Sequence, residues 1–109
     1  MSRTERDRLE DIAVACGVIS EYITRTDIDE PIVFDAIRVR LIEIGEAVKD
    51  LSTETIASEP EIPWAMIARM RDLLVHRYFD TTHAIITTTA RDDVPRLGAA
   101  VRRLRSKTM

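Results

Sequence analysis

The sequence predicts an all-α fold, an up-and-down four-helix bundle whose last helix is kinked or split. Apolar residues recur at spacings of three and four along most of the chain, which is the pattern of amphipathic helices. Only three glycines and four prolines are present in 109 residues, so there are few places for the chain to turn. This length fits one domain, and with 45% hydrophobic residues we expect a single helical domain over residues 1–109.

The first two helices are predicted from their apolar stripes. The first covers about residues 3–24, and its stripe consists of Leu9, Ile12, Cys16, Ile19 and Ile23. The second covers about residues 31–56 with Pro31 in its first turn, and its stripe consists of Ile37, Leu41, Ile44, Val48 and Leu51. Gly45, in the middle of this helix, costs about 1 kcal/mol relative to Ala, which indicates a close approach by another helix.

The second half of the chain predicts a third helix, a fourth helix and a basic end. Pro63 opens helix three, which covers about residues 63–78. Residues 80–82 offer an N-cap for a fourth helix that runs to about residue 92. Pro95 then marks a kink or a break before a basic helix over about residues 94–105.

Composition and charge exclude several classes of protein. The net charge of −3 and the pI near 5.4 argue against a protein that coats nucleic acid, although a local basic site is compatible with them. A single cysteine, Cys16, cannot form an internal disulfide. The charged N-terminus is unlike a signal peptide, and no apolar run is long enough to span a bilayer. We therefore expect a cytoplasmic protein with no membrane partner.

One face of helix three gathers polar side chains. On an ideal helix with Arg71 at zero, Tyr78 lies about 20° away, Asp72 about 100° and His76 about 140°. The opposite arc is predicted to face the core and contains Met66, Ile67, Met70, Leu73 and Leu74.

The periodicity leaves two interpretations of this polar face open. Asp72 and His76 are four positions apart and can form a hydrogen bond, as in a functional site. The alternative is a solvated surface with salt bridges. Trp64 and Val75 also fall near this face, and such a mixture of polar and apolar residues predicts contact with another helix or another subunit.

The segment Arg71–Tyr78 resembles the R-x4-H-x-Y motif of the HEPN superfamily, and it is most similar to the HepT-like toxins. The similarity extends to residues 39–49 in the second helix, residues 61–64 before helix three, and residues 93–97 at the last kink. In all, about residues 5–105 follow the family pattern. Asp72 stands where the family often has Asn, which places an additional negative charge near a bound phosphate.

The resemblance implies a toxin that is a metal-independent endoribonuclease, with no cofactor and no metal ligands. His76 would be the general acid and base, and Arg71 would bind the phosphate. Asp72 would hold either His76 or the Arg71 side chain, and Arg77 would be an auxiliary phosphate contact. Glu43 and Glu46 have no Glu-x-x-His partner and are interpreted as ordinary charges of the helix surface. His83, past the motif, is interpreted as a surface or capping-region residue and not as a second catalytic base.

The resemblance also implies partners. In the family, two protomers join their motif faces, which predicts a homodimer through helix three around an RNA-binding cleft. The family's partner is a small nucleotidyltransferase antitoxin that transfers AMP to the motif tyrosine, here Tyr78. The alternative is a non-catalytic helical subunit that binds and regulates a nucleotidyltransferase.

Overall fold

The computed structural model describes residues 3–76 and 79–107, and all regular structure in these ranges is helical. The helices are α1 (Arg3–Arg25), α2 (Pro31–Lys49), a short α3 (Thr53–Ala57), α4 (Trp64–Val75), α5 (Phe79–Thr88) and α6 (Val94–Lys107). A π-helical turn, Thr89–Asp93, joins α5 to α6. The prediction of an all-α fold is confirmed. None of the described helices is both long and apolar enough to cross a membrane.

The core lies where α1 packs against α2 and α6, and where α2 packs against α4. Both predicted stripes are confirmed: all their members are buried except Ile23, which is half-buried. Burial of these aliphatic side chains is the main stabilising contribution to the fold, since it removes their apolar surface from water.

The predicted second helix is divided into two helices. α2 ends at Lys49, and α3 begins after Ser52, whose hydroxyl accepts a hydrogen bond from the Thr55 N–H at 3.1 Å. The Ser52 N–H in turn donates to the Glu5 carboxylate of α1 at 2.5 Å. A serine that caps a new helix competes with continuation of the old one, so the expected helix over residues 31–56 was too long.

The last helix is joined from pieces without an interruption between them. Pro95 lies in the first turn of α6 and has no N–H to donate to the carbonyl of Arg91, four residues earlier. Arg91 belongs to the π-helical turn, whose wider spacing absorbs the missing bond and the bulk of the proline ring. The prediction of a kinked or split last helix is confirmed in that this helix is joined from pieces, but residues 80–82 lie inside α5 and do not precede it as a cap, because this helix begins at Phe79.

Candidate active site

α4 carries the first part of the R-x4-H-x-Y segment and ends within it. The helix begins at Trp64, whose indole Nε1 donates to the Glu59 carbonyl at 3.0 Å. The helix ends at Val75. His76 is its C-cap, and the His76 backbone N–H donates a hydrogen bond to the Asp72 carbonyl at 3.1 Å. Helix three was thus predicted to run too far. Arg77 and Tyr78 lie outside the described residues.

α4 crosses α2 at Gly45. A Cβ built on Gly45 would overlap the Cβ of Arg71 and would lie 3.2 Å from the carbonyl oxygen of Ile67. The close approach predicted from this glycine is confirmed. Arg71 therefore lies at the contact between the two helices, and the contact with another helix that was predicted from the mixed polar and apolar face is confirmed.

The buried stripe of α4 is rotated relative to the prediction. Ile67, Met70 and Leu74 are buried as expected, but Met66 is 69% exposed and Leu73 is only half-buried. Trp64, on the predicted polar face, is 5% exposed. The reason is that α4 packs on α2 with the side that carries both Trp64 and Arg71, which leaves Met66 on the outer side.

Two carboxylates hold the Arg71 guanidinium. Its Nε and Nη2 donate to Glu46 Oε1 at 3.3 and 3.2 Å, and its Nη1 donates to Asp72 Oδ1 at 3.0 Å. The hydrogen bonds from Arg71 to Asp72 and to Glu46 raise the pKa of Arg71 above its ordinary value. A guanidinium has five N–H groups, so these three bonds leave two that can bind a ligand.

Asp72 binds a second cation with the same oxygen. Lys49 Nζ, from the last turn of α2, donates to Asp72 Oδ1 at 2.8 Å. The hydrogen bond from Lys49, followed by that from Arg71, lowers the pKa of Asp72. Within residues 3–76 and 79–107, no hydrogen bond joins Asp72 to the His76 side chain. Of the two roles predicted for Asp72, the described contacts fit the one in which it holds the arginine.

His76 is an exposed residue at the end of α4. A side chain of α2, that of Arg38, binds this end of the helix. Arg38 Nη2, from α2, donates to the Leu74 carbonyl at 2.8 Å. The last carbonyls of a helix have no partner within it, so this bond satisfies one of them two residues before His76.

The sequence interpretation missed three residues of the site, namely Glu46, Lys49 and Arg38. Glu46 was taken as an ordinary surface charge, which was wrong because it accepts two hydrogen bonds from Arg71. Gly45 is the sequence signal that could have identified Glu46 and Lys49. Where two helices cross closely at a glycine, the residues near that glycine on α2 come into contact with α4. Glu43 behaves as expected, with Arg40 of the same helix 3.1 Å away.

His83 lies apart from this cluster. Its ring stacks on Phe34 with 4.8 Å between the centroids, and its Nε2 is 3.4 Å from Asp29 Oδ1. Its side chain is exposed, as expected. In the part of the chain that the structure describes, no three His, Cys, Asp or Glu side chains are arranged as ligands of a metal ion.

The family model and the relatives with similar sequences are named as ribonucleases. Residues 9–104 match the model of a family described as HepT-like, "Ribonuclease HepT-like". A protein of Thermococcus cleftensis named "Probable ribonuclease HepT" is 38% identical over 110 residues, which cover 96% of this chain and 99% of that protein. A protein of Caldanaerobacter subterraneus subsp. tengcongensis named "Putative RNase TTE0752" is 33% identical, over 96% of this chain and 97% of its own length. No solved structure matches.

Proposed function

Because the chain belongs to the HepT-like ribonuclease family, we propose that it is a cytoplasmic, metal-independent endoribonuclease that acts as a toxin. The observation that carries the proposal is the arrangement at the end of α4. Arg71 is held by two carboxylates with two N–H groups left over, and His76 is exposed at the end of the same helix. Both belong to the R-x4-H-x-Y segment.

These residues can perform the chemistry of RNA cleavage. The ribose 2′-OH attacks the adjacent phosphorus, the bond to the 5′ oxygen breaks, and a cyclic phosphate forms. His76 takes the proton of the 2′-OH or gives one to the leaving oxygen, since an imidazole can do either near neutral pH. Arg71 donates to the phosphate oxygens on which negative charge develops. Arg77 is an auxiliary contact to the RNA backbone in this proposal.

The catalytic test is substitution of Arg71 and His76. We expect Arg71→Ala and His76→Ala each to lower RNA cleavage by at least about a hundredfold, since charge stabilisation and acid–base catalysis each contribute that much. Arg25→Ala, on α1 with its side chain 75% exposed and paired with Glu21 of the same helix, is the matched control and leaves cleavage unchanged. If both variants cut RNA and arrest growth like the wild type, the protein is not a nuclease through this motif. The non-catalytic regulatory subunit would then be favoured.

A homodimer through α4 would complete the site, because one protomer supplies one Arg71 and one His76. The apolar side chain of Val75, 40% exposed beside His76 at the end of α4, supports a contact through this part of the helix. Sedimentation velocity at micromolar concentration would reveal a dimer. A monomer at that concentration would contradict this part of the proposal.

The last part of the proposal is that a nucleotidyltransferase antitoxin controls the toxin. The Tyr78 hydroxyl would attack the α-phosphorus of ATP, with release of pyrophosphate, and the attached AMP would add negative charge and bulk to the motif. The support is the position of Tyr78 two residues after His76 in the motif. Intact mass after incubation with the antitoxin and ATP tests it. Tyr22→Phe should still gain one AMP, whereas Tyr78→Phe should gain none; an AMP on the latter would exclude Tyr78 as the acceptor.

A further inference from the structure

Lys49 and Arg71 lie side by side because both donate a hydrogen bond to the same oxygen of Asp72. Asp72 Oδ1 accepts from Lys49 Nζ at 2.8 Å and from Arg71 Nη1 at 3.0 Å. The two cationic nitrogens are therefore no farther apart than the sum of these distances. They come from different helices, Lys49 from the last turn of α2 and Arg71 from α4.

We propose that Lys49 is a second phosphate-binding residue, which contacts the RNA backbone beside Arg71, and that Asp72 is the positioning residue that holds both cations. The inference rests on the proposed ribonuclease function. It adds to the motif a residue from α2 that lies outside the R-x4-H-x-Y segment.

The donors of Lys49 support this role. An ammonium group has three N–H groups, and one is used by Asp72. The side chain is 40% exposed, so the other two can reach a ligand. Lysine binds phosphate as a point charge, whereas arginine binds it with a planar fork, and a phosphodiester offers two non-bridging oxygens to the pair.

The charge of the cluster gives the second reason. The carboxylates of Glu46 and Asp72 balance the cations of Lys49 and Arg71. Without Lys49 the same group would carry a net negative charge, which repels a phosphate. Lys49 thus offsets the charge that Asp72 adds at the site.

The experiment measures binding of a short fluorescent 2′-O-methyl RNA of mixed sequence, which cannot be cleaved through its 2′ oxygen. We expect Lys49→Gln to weaken binding roughly tenfold, as for loss of one charge-assisted hydrogen bond. The slope of log K against log salt should become shallower by about 0.7, the value for one phosphate contact of a single strand. Lys107→Gln is the matched control, because Lys107 is the chain's only other lysine and lies 4.0 Å from Glu59.

Asp72→Asn separates a phosphate contact from simple charge compensation. If Lys49 touches the RNA, Lys49→Gln in the Asp72→Asn background still weakens binding and still reduces the salt slope. If Lys49 only neutralises Asp72, the substitution has no effect in that background, and the proposal is overturned. Unchanged binding by Lys49→Gln alone also overturns it.

Failure of this inference is distinguishable from failure of the proposed function. Arg71→Ala tests whether the protein is a nuclease through the motif. If Arg71→Ala abolishes cleavage while Lys49→Gln leaves RNA binding unchanged, only the role proposed for Lys49 is rejected. A thermal melt of each variant accompanies the binding curve. A merely structural ion pair between α2 and α4 would lower the melting temperature and leave the salt slope unchanged, which again rejects the phosphate contact.

Discussion

Gly45 and Arg71 are in contact at the crossing of α2 and α4, where the absence of a side chain on Gly45 makes room for the Cβ of Arg71. The glycine that weakens α2 therefore determines how closely α4 approaches it. This contact also sets where the Arg71 side chain leaves its helix, next to Glu46 on α2.

Gly45→Ala tests this contact. The alanine is the better helix former by about 1 kcal/mol. Its Cβ would nevertheless overlap Arg71, and overpacking of this kind costs about 1–3 kcal/mol. We expect a net loss of up to about 2 kcal/mol in the free energy of unfolding, measured in urea, together with weaker RNA cleavage because α4 must move.

Gly17→Ala is the control for Gly45→Ala. Gly17 lies inside α1, and among the described residues no heavy atom outside its local helix is within 4 Å of the added Cβ. Here the gain in helix propensity is unopposed, so we expect stabilisation by about 0.5–1 kcal/mol. Equal effects at the two glycines would show that the crossing at Gly45 tolerates a side chain.

Arg38→Ala should loosen the end of α4. The substitution removes the 2.8 Å hydrogen bond to the Leu74 carbonyl, which costs about 1 kcal/mol of stability. Because His76 follows two residues later, we also expect a lower cleavage rate and faster amide exchange at the end of α4. Hydrogen exchange and single-turnover cleavage measure the two effects.

Arg40→Ala is the matched control for Arg38→Ala. Arg40 also lies on α2, but its guanidinium pairs with Glu43 of the same helix. Exposed pairs of this kind contribute little, so exchange at the end of α4 should not change. If Arg38→Ala also leaves exchange there unchanged, Arg38 does not fix the position of His76.

Glu5→Gln should destabilise the protein at neutral pH but not in acid. Burial of the Glu5 carboxylate raises its pKa, but hydrogen bonds from the Ser52 N–H and from the Thr55 and Ser52 hydroxyls outweigh burial and lower the pKa below its ordinary value. The stabilisation is therefore fully present above the pKa of the unfolded chain. It is lost as the pH falls through the lower pKa of the folded state.

Urea unfolding as a function of pH measures this effect. We expect Glu5→Gln to cost about 1 kcal/mol near neutral pH, with a difference from the wild type that shrinks as the solution becomes acidic. Glu61→Gln, in the exposed loop before α4, should change stability little at any pH. A cost of Glu5→Gln that stays constant down to acidic pH would contradict the role of the Glu5 charge.

Cys16 should be unreactive in the folded protein. Burial of its thiol, opposed only in part by the charge of Arg102, raises the pKa of Cys16 to about 12. The thiolate is the reactive form, so a thiol reagent near neutral pH should label the native chain very slowly and the urea-unfolded chain rapidly. Rapid labelling of the native chain would show that α1 opens at this position.

The sequence determined the helical class, the stripes of α1 and α2 and the crossing at Gly45, because these follow from the spacing of residues along one helix. The motif supplied Arg71 and His76 as candidate site residues. The division at Ser52 was not predictable from periodicity, since the capping Ser52 side chain begins a new helix although the apolar stripe continues. The end of α4 at Val75 was not predictable from periodicity either, since the helical spacing of side chains continues past it in the sequence.

Only the tertiary structure decided which residues meet across helices. The rotation of α4 on α2 exposes Met66, buries Trp64 and places Glu46 and Lys49 of α2 on Arg71 and Asp72. A helical wheel gives the angle of each side chain about its own axis but not the angle at which two axes cross. That crossing is set by packing at Gly45, and it brought residues from two helices into one candidate site.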